Sequence, residues 1–144
     1  MNVKVVNTSP HPLPSYQTDH AAAMDAYAHL PDGPITLGSL DRAAIPTGLF
    51  IALPEGHELQ VRSRSGLSSK HGIIVVNSPG TVDADYRGEV KILIANISKD
   101  PYEIQDGDRI AQLVVAPCER AVWEEVAELD ETTRGAGGLG HTGR

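Results

Sequence analysis

The chain has 144 residues and a formal net charge of −7, with 12 Lys and Arg against 19 Asp and Glu. That length fits one ordinary domain with a real core, and the absence of a basic tail or stripe argues against duplex nucleic acid or an anionic membrane as partner. A single cysteine, Cys118, excludes an internal disulfide; no apolar run reaches membrane-spanning length and no charged-then-apolar signal pattern opens the chain, so a soluble, cytoplasmic protein is expected.

Short extended segments dominate. Residues 3–6 are a β-branched run ended by Asn7-Thr8-Ser9-Pro10, and the prolines at 12 and 14 keep the next stretch out of helix. Residues 20–29 contain Ala-Ala-Ala-Met-Asp-Ala-Tyr-Ala, which is helical by propensity alone. Residues 45–54 are apolar and bounded by prolines. In the next run Leu59 and Val61 alternate with Glu58, Gln60 and Arg62, the pattern of a half-buried strand. Residues 65–71 leave room for a helical turn or two, capped by Ser63 or Ser65. Residues 73–76, 90–95, 102–104 and 110–116 are further strands, separated by turn chemistry such as Asn77-Ser78-Pro79-Gly80 and Gln105-Asp106-Gly107-Asp108. Residues 122–129 read equally as strand or helix. Residues 131–144 are polar and glycine-rich without an apolar period, so a mobile tail is expected. Many short strands broken by Gly and Pro point to an all-β sandwich or barrel over residues 1–130.

The chemistry concentrates between residues 62 and 89. Arg62-Ser63-Arg64-Ser65-Gly66 offers cations, hydroxyls and room for close backbone approach. Serine and free backbone donors at a helix start suit an anion. Asp83-Ala84-Asp85-Tyr86-Arg87-Gly88-Glu89 offers carboxylates, a phenol and a cation. An anion binder and a possible base on either side of one apolar run suggest hydrolysis of a phosphorylated small molecule. The alternatives are weaker. Ser65, His71 and Asp83 lack a nucleophile-elbow pattern. The tail lacks the Gly-Lys-Ser/Thr ending of a phosphate-binding loop. The six histidines do not cluster at metal-ligand spacing, and one cysteine gives no zinc site. Asn96-Ile97-Ser98 is a glycosylation acceptor in form only.

Five stretches, in order, resemble the motifs of the trimeric deoxyuridine triphosphatase (dUTPase) family. They are Ala22-Ala23-Met24-Asp25-Ala26-Tyr27-Ala28; Arg64-Ser65-Gly66-Leu67; Gly80-Thr81-Val82-Asp83-Ala84-Asp85-Tyr86-Arg87-Gly88-Glu89; Gly107-Asp108-Arg109-Ile110-Ala111-Gln112; and Arg134-Gly135-Ala136-Gly137-Gly138-Leu139-Gly140-His141-Thr142-Gly143. The resemblance implies an all-β, jelly-roll-like fold with one short helical segment, assembled as a homotrimer with shared active sites. For that reason the alanine-rich first motif is expected to be extended. The sequence departs from the family with Leu139 where an aromatic usually stacks on uracil, His141 where serine is frequent, Ala23 where glycine is usual, and Ala26 where a larger apolar residue is common.

The resemblance implies cleavage of dUTP to dUMP and pyrophosphate with Mg2+. It makes Asp83 the base that activates water for attack at the α-phosphorus, although by itself Asp83 reads as a turn residue. Asp85 is then structural or an ion-pair partner. Tyr86 packs on the deoxyribose and excludes a 2′-hydroxyl. Asn77 offers a donor and an acceptor to uracil, with Gly80, Thr81 and Val82 counted beside it. Arg64, Ser65, Gly66, Gln112 and Arg134 meet phosphates, and Lys91 is a lesser candidate. Leu139 and Gly140 belong to a C-terminal lid over residues 131–144, and Asp25 reaches magnesium through water. Two other readings stand beside this one: a dCTP deaminase of the same superfamily, which typically has glutamate where Asp83 stands, and a non-catalytic relative that binds nucleotide or a protein.

Overall fold

The computed structural model describes residues 1–139. Ten strands and one helix form among them: β1 (Lys4–Asn7), β2 (Met24–Tyr27), β3 (Ile35–Leu37), β4 (Arg42–Ala52), β5 (His57–Arg62), α1 (Ser65–His71), β6 (Ile73–Val75), β7 (Gly80–Val82), β8 (Glu89–Asn96), β9 (Tyr102–Ile104) and β10 (Arg109–Pro117). Two four-stranded sheets, ordered β1-β4-β8-β6 and β2-β10-β5-β7, are accompanied by the pair β3-β9. All these pairings are antiparallel. The expected all-β architecture with one short helix is therefore what the chain adopts. No helix among the described residues is long and apolar enough to cross a membrane.

The pleat places the core. Along β8, Val90, Ile92, Ile94 and Asn96 are buried while Lys91 and Leu93 face outward. Val90, Ile92 and Ile94 join Ile45 of β4, Val75 of β6, Leu59 and Val61 of β5 and Leu113 of β10 in one apolar cluster. Each isoleucine fully buried there contributes about 1.5–3 kcal/mol relative to exposure. The same force overrides the helix propensity of the first motif. Ala26 and Ala28 have no exposed surface, and β2 pairs with β10 through Ala26↔Ala111, Asp25↔Gln112 and Met24↔Leu113. Propensity differences of well under ~1 kcal/mol per residue lose to a paired, buried ladder.

The helix α1 begins at Arg64, which makes no side-chain cap bond. The expected serine cap is corrected: Ser63 Oγ accepts the Val75 amide at 2.8 Å and so ties α1 to β6. The helix stops at Gly72, whose φ of 65° is left-handed and whose added Cβ would lie 2.9 Å from the Ser98 backbone nitrogen. Asn96 is buried and donates to the Leu37 and Asp100 carbonyls at 2.9 and 2.8 Å. Its amide is a loop anchor, out of reach of modifying enzymes. Strands β3 and β7, each three residues long, have no counterpart among the strands expected from the sequence. Residues 122–129 are neither strand nor helix. Val122 and Trp123 there are each 94% exposed, so no packing selects a conformation.

Candidate active site

The register of three neighbouring strands builds the first half of the site. Gln112 on β10 stands between Asp25 on β2 and Arg62 on β5. Arg64, just past β5, sends Nε to Asp25 Oδ1 at 3.0 Å and donates from an η nitrogen to the Arg109 carbonyl at 2.7 Å. Arg109 reaches the other Asp25 oxygen at 3.1 Å. The Gln112 amide donates to the Ser63 carbonyl at 2.9 Å, which holds the entrance of α1. Ser65 and Gly66 are exposed beside this group, and a Cβ at Gly66 would meet nothing within 4 Å. Two guanidinium groups against one carboxylate leave a local positive excess in an acidic chain, suited to a polyanion. Arg109, inside the fourth motif, is a site residue that the motif pattern does not point to; its bond to Asp25 joins two motifs distant in sequence.

The second half is a cleft of about 250 Å³ lined by Asn77, Thr81, Val82, Asp83, Tyr86 and Lys91 among others. Gly80 backs it, because a Cβ there would press on Asn77 Nδ2 and Val61 at 3.2 Å. Asp83 is exposed and starts a turn, its carbonyl accepting the Tyr86 amide at 3.2 Å. Its carboxylate makes no hydrogen bond among the described residues and is free for another partner. Tyr86 hydroxyl donates to the Glu89 carbonyl at 3.1 Å, and the ring lies over Gly88, where any side chain would collide with it. Exposed Arg87 braces the loop, donating to the Ala84 and Tyr86 carbonyls at 2.7 and 2.8 Å. Lys91 lies 3.9 Å from Glu89 Oε2, a loose ion pair at the rim. Asp85, expected as an ion-pair candidate, makes no such pair among the described residues and is exposed.

Asp83 and the Arg64 group lie apart within one chain. Val82 pairs with Leu59 and Gln112 with Arg62, so Asp83 adjoins the Glu58 end of β5 while the Arg64 group lies past its other end. Four residues of strand, about 13 Å at ~3.3 Å per residue, lie between those ends. The fifth motif is apart from both. Arg134 bonds the Gly137 carbonyl of its own turn at 2.8 Å, and Leu139 is fully exposed. Gly140 and His141 lie outside the described residues.

One group of histidines is visible only in the folded chain. Spacing along the chain gave no metal-ligand pattern, yet His11, His29 and Asp106 place one potential ligand atom each within 4.8 Å of one another. The His11 ring and the Leu30 amide, bonded to Asp106 at 2.9 and 2.7 Å, hold its carboxyl below the ordinary 3.8. Sequence spacing could not find this group, because its members come from three separate loops.

A family model described as dUTPase matches residues 9–143. The chain belongs to the dUTPase family. It is 54% identical over 143 residues to the deoxyuridine 5'-triphosphate nucleotidohydrolase of Cytophaga hutchinsonii, covering 99% of this chain and 92% of that protein. To the enzyme of the same name from Finegoldia magna it is 50% identical, with 99% of both chains covered. Among solved structures it resembles a Staphylococcus bacteriophage 80alpha dUTPase with dUPNHPP, with a TM-score of 0.89, 26% identity and 99% of both chains covered. The all-β fold described above is thus that of a dUTPase-family chain, and Ala26 fills a fully buried position in it.

Proposed function

We propose that the protein hydrolyses dUTP to dUMP and pyrophosphate, as a homotrimer whose active sites are shared between subunits, in cytoplasmic nucleotide metabolism. The observation that carries the shared site is the separation of the Arg64 group from the Asp83 cleft within one chain. A triphosphate held by one chain's arginines needs the base from another. The names of the 54% and 50% identical relatives and the nucleotide analogue bound to the phage enzyme support the substrate.

In this reading Arg64, Ser65, the Gly66 backbone and Gln112 hold the phosphates. Asn77 pairs with the uracil edge beside the backbone of Gly80, Thr81 and Val82, and Lys91 lies at the cleft rim. The half-exposed Tyr86 ring lies against the deoxyribose, where a 2′-hydroxyl would clash. Asp83 takes a proton from water as its oxygen attacks the α-phosphorus, and pyrophosphate leaves with the bonding pair. Residues 131–144 close over the nucleotide, with Arg134 on phosphate and Leu139 and Gly140 over the base. Magnesium fits only through water. Asp25 is the single carboxylate of its cluster and both oxygens already meet guanidinium groups, but a carboxylate accepts about four hydrogen bonds, so its remaining lone pairs can hold an ion's water. Bound there, the ion would neutralise phosphate charge.

Product analysis in 18O-labelled water tests the reading. The expected result is dUMP carrying the label and unlabelled pyrophosphate. Formation of dUDP and phosphate, label in pyrophosphate, deamination of dCTP, or binding without turnover would each overturn it.

A further inference from the structure

Three loops that are distant in sequence converge beside β2 and β10. His11 follows β1, His29 follows β2, and Asp106 sits in the turn between β9 and β10. Nε2 of His11 lies 2.9 Å from Asp106 Oδ1, and Nδ1 of His29 lies 3.8 Å from the same oxygen. The second distance is too long for a hydrogen bond. Nδ1 of His29 is sealed from solvent and has no hydrogen-bond partner among the described residues. A latch made only of His11 and Asp106 accounts for two members of the group and leaves this nitrogen unexplained. Burying such an atom unpaired is destabilising, and a ligand shared by all three groups removes that cost.

We propose that His11, His29 and Asp106 form a binding site for a late first-row divalent cation such as zinc, separate from the Asp25–Arg64 cluster. Two imidazole nitrogens and one carboxylate are the donor set of zinc, cobalt or nickel; magnesium and calcium favour oxygen alone. Tetrahedral zinc with bonds of ~2.0–2.1 Å places its donors about 3.3 Å apart. The donor atoms here are spaced from 2.9 Å to at most 4.8 Å, so rotation of the two rings completes the site. The three side chains keep 17, 21 and 41% exposure, which leaves an open side for water as a further ligand. His11 is also packed against the Tyr27 ring with centroids 6.3 Å apart, and edge-on to His29 at 6.0 Å. The ion would fasten the N-terminal segment to the β2–β10 pair that carries Asp25, Arg109 and Gln112.

The test uses full-length, tag-free protein stripped with chelator and kept in excess magnesium. Zinc is titrated alone by calorimetry, and cobalt by visible absorption. The expected result is one zinc per chain, a raised unfolding midpoint, and an intense four-coordinate cobalt spectrum. Loss of outer-sphere partners alone typically weakens metal sites about 10–100-fold, so His29→Gln and Asp106→Asn should each weaken zinc at least ~tenfold. Asp106→Asn keeps an oxygen for the Leu30 amide, and circular dichroism checks that it folds. Cys118→Ser, which alters the exposed free thiol, should leave the affinity unchanged. No saturable binding by ~100 μM zinc would overturn the proposal. So would binding that survives both variants, or that disappears with Cys118→Ser.

Discussion

Mixing two inactive variants distinguishes a shared site from a private one. Asp83→Asn keeps the side chain's shape, and its carboxylate bonds nothing in the described chain, so stability should change by less than ~0.5 kcal/mol. Losing a general base costs about 10²–10⁴ in rate, or roughly 2.7–5.4 kcal/mol. Arg64→Gln removes the 3.0 Å ion pair with Asp25 and a bond to the Arg109 carbonyl, but Arg109 still holds Asp25 at 3.1 Å. A lost charged hydrogen bond to phosphate is worth about 1.5–3 kcal/mol, roughly 10–150-fold. The two residues lie past opposite ends of a strand segment of about 13 Å. If a site takes Arg64 from one subunit and Asp83 from the next, an equal mixture scrambled by denaturation and refolding makes one site in about four intact. Activity should then recover to roughly a quarter of wild type, at least about twofold above either variant alone. Steady-state release of pyrophosphate measures it, with sedimentation confirming the trimer. A scrambled mixture that stays at the level of the separate variants would show that each chain completes its own site, and a monomer with full activity would do the same.

Other expectations test fold and lid. Ile94→Ala empties a position with no exposed surface and should cost about 2–5 kcal/mol by chemical denaturation; a loss under ~1 kcal/mol would mean the core collapses onto the gap. Burial, with Asp108 adding to it, raises the Tyr102 phenol above 10.0. The folded chain then holds that proton longer than the unfolded one, so the contribution is complete below pH 10 and stability falls as pH rises beyond it. Ultraviolet titration should show one late tyrosine, absent in Tyr102→Phe. Removing residues 134–144 should lower kcat far more than it weakens nucleotide binding, because closure excludes water from the reacting phosphate. Leu139→Phe should tighten nucleotide binding by about 2–10-fold, the worth of an aromatic stack of ~0.5–1.5 kcal/mol. Undiminished kcat in the truncated chain would show that these residues are no lid.

How much was legible depended on the range of the forces involved. The alternation in β8 and β5 was visible because a half-buried strand repeats every two residues whatever lies beyond it. Gly72 could be suspected as a helix stop, but the tight approach of Ser98 could not, because it comes from a different strand end. Three residues carry no period, so β6 and β9 were legible from residue type and flanking turns, whereas β3 and β7, equally short, were not. Residues 122–129 carry apolar side chains without a fixed partner in the described chain, so their propensity decided nothing. Ser63 was rightly noticed as a polar contact, but for the wrong amide, since only packing brings Val75 to it.

The sequence by itself determined the all-β class, the order of the motifs and the residue types at the candidate site, because composition and short spacings are local properties. Tertiary structure alone decided which of those residues share a neighbourhood. Strand register put Asp25, Gln112 and Arg62 side by side and held Asp83 at the far end of β5. It also gathered His11, His29 and Asp106 from loops up to 95 residues apart. Such juxtapositions follow from chain closure and sheet pairing across the whole core, where burial outweighs local preference, and no short window of sequence contains them.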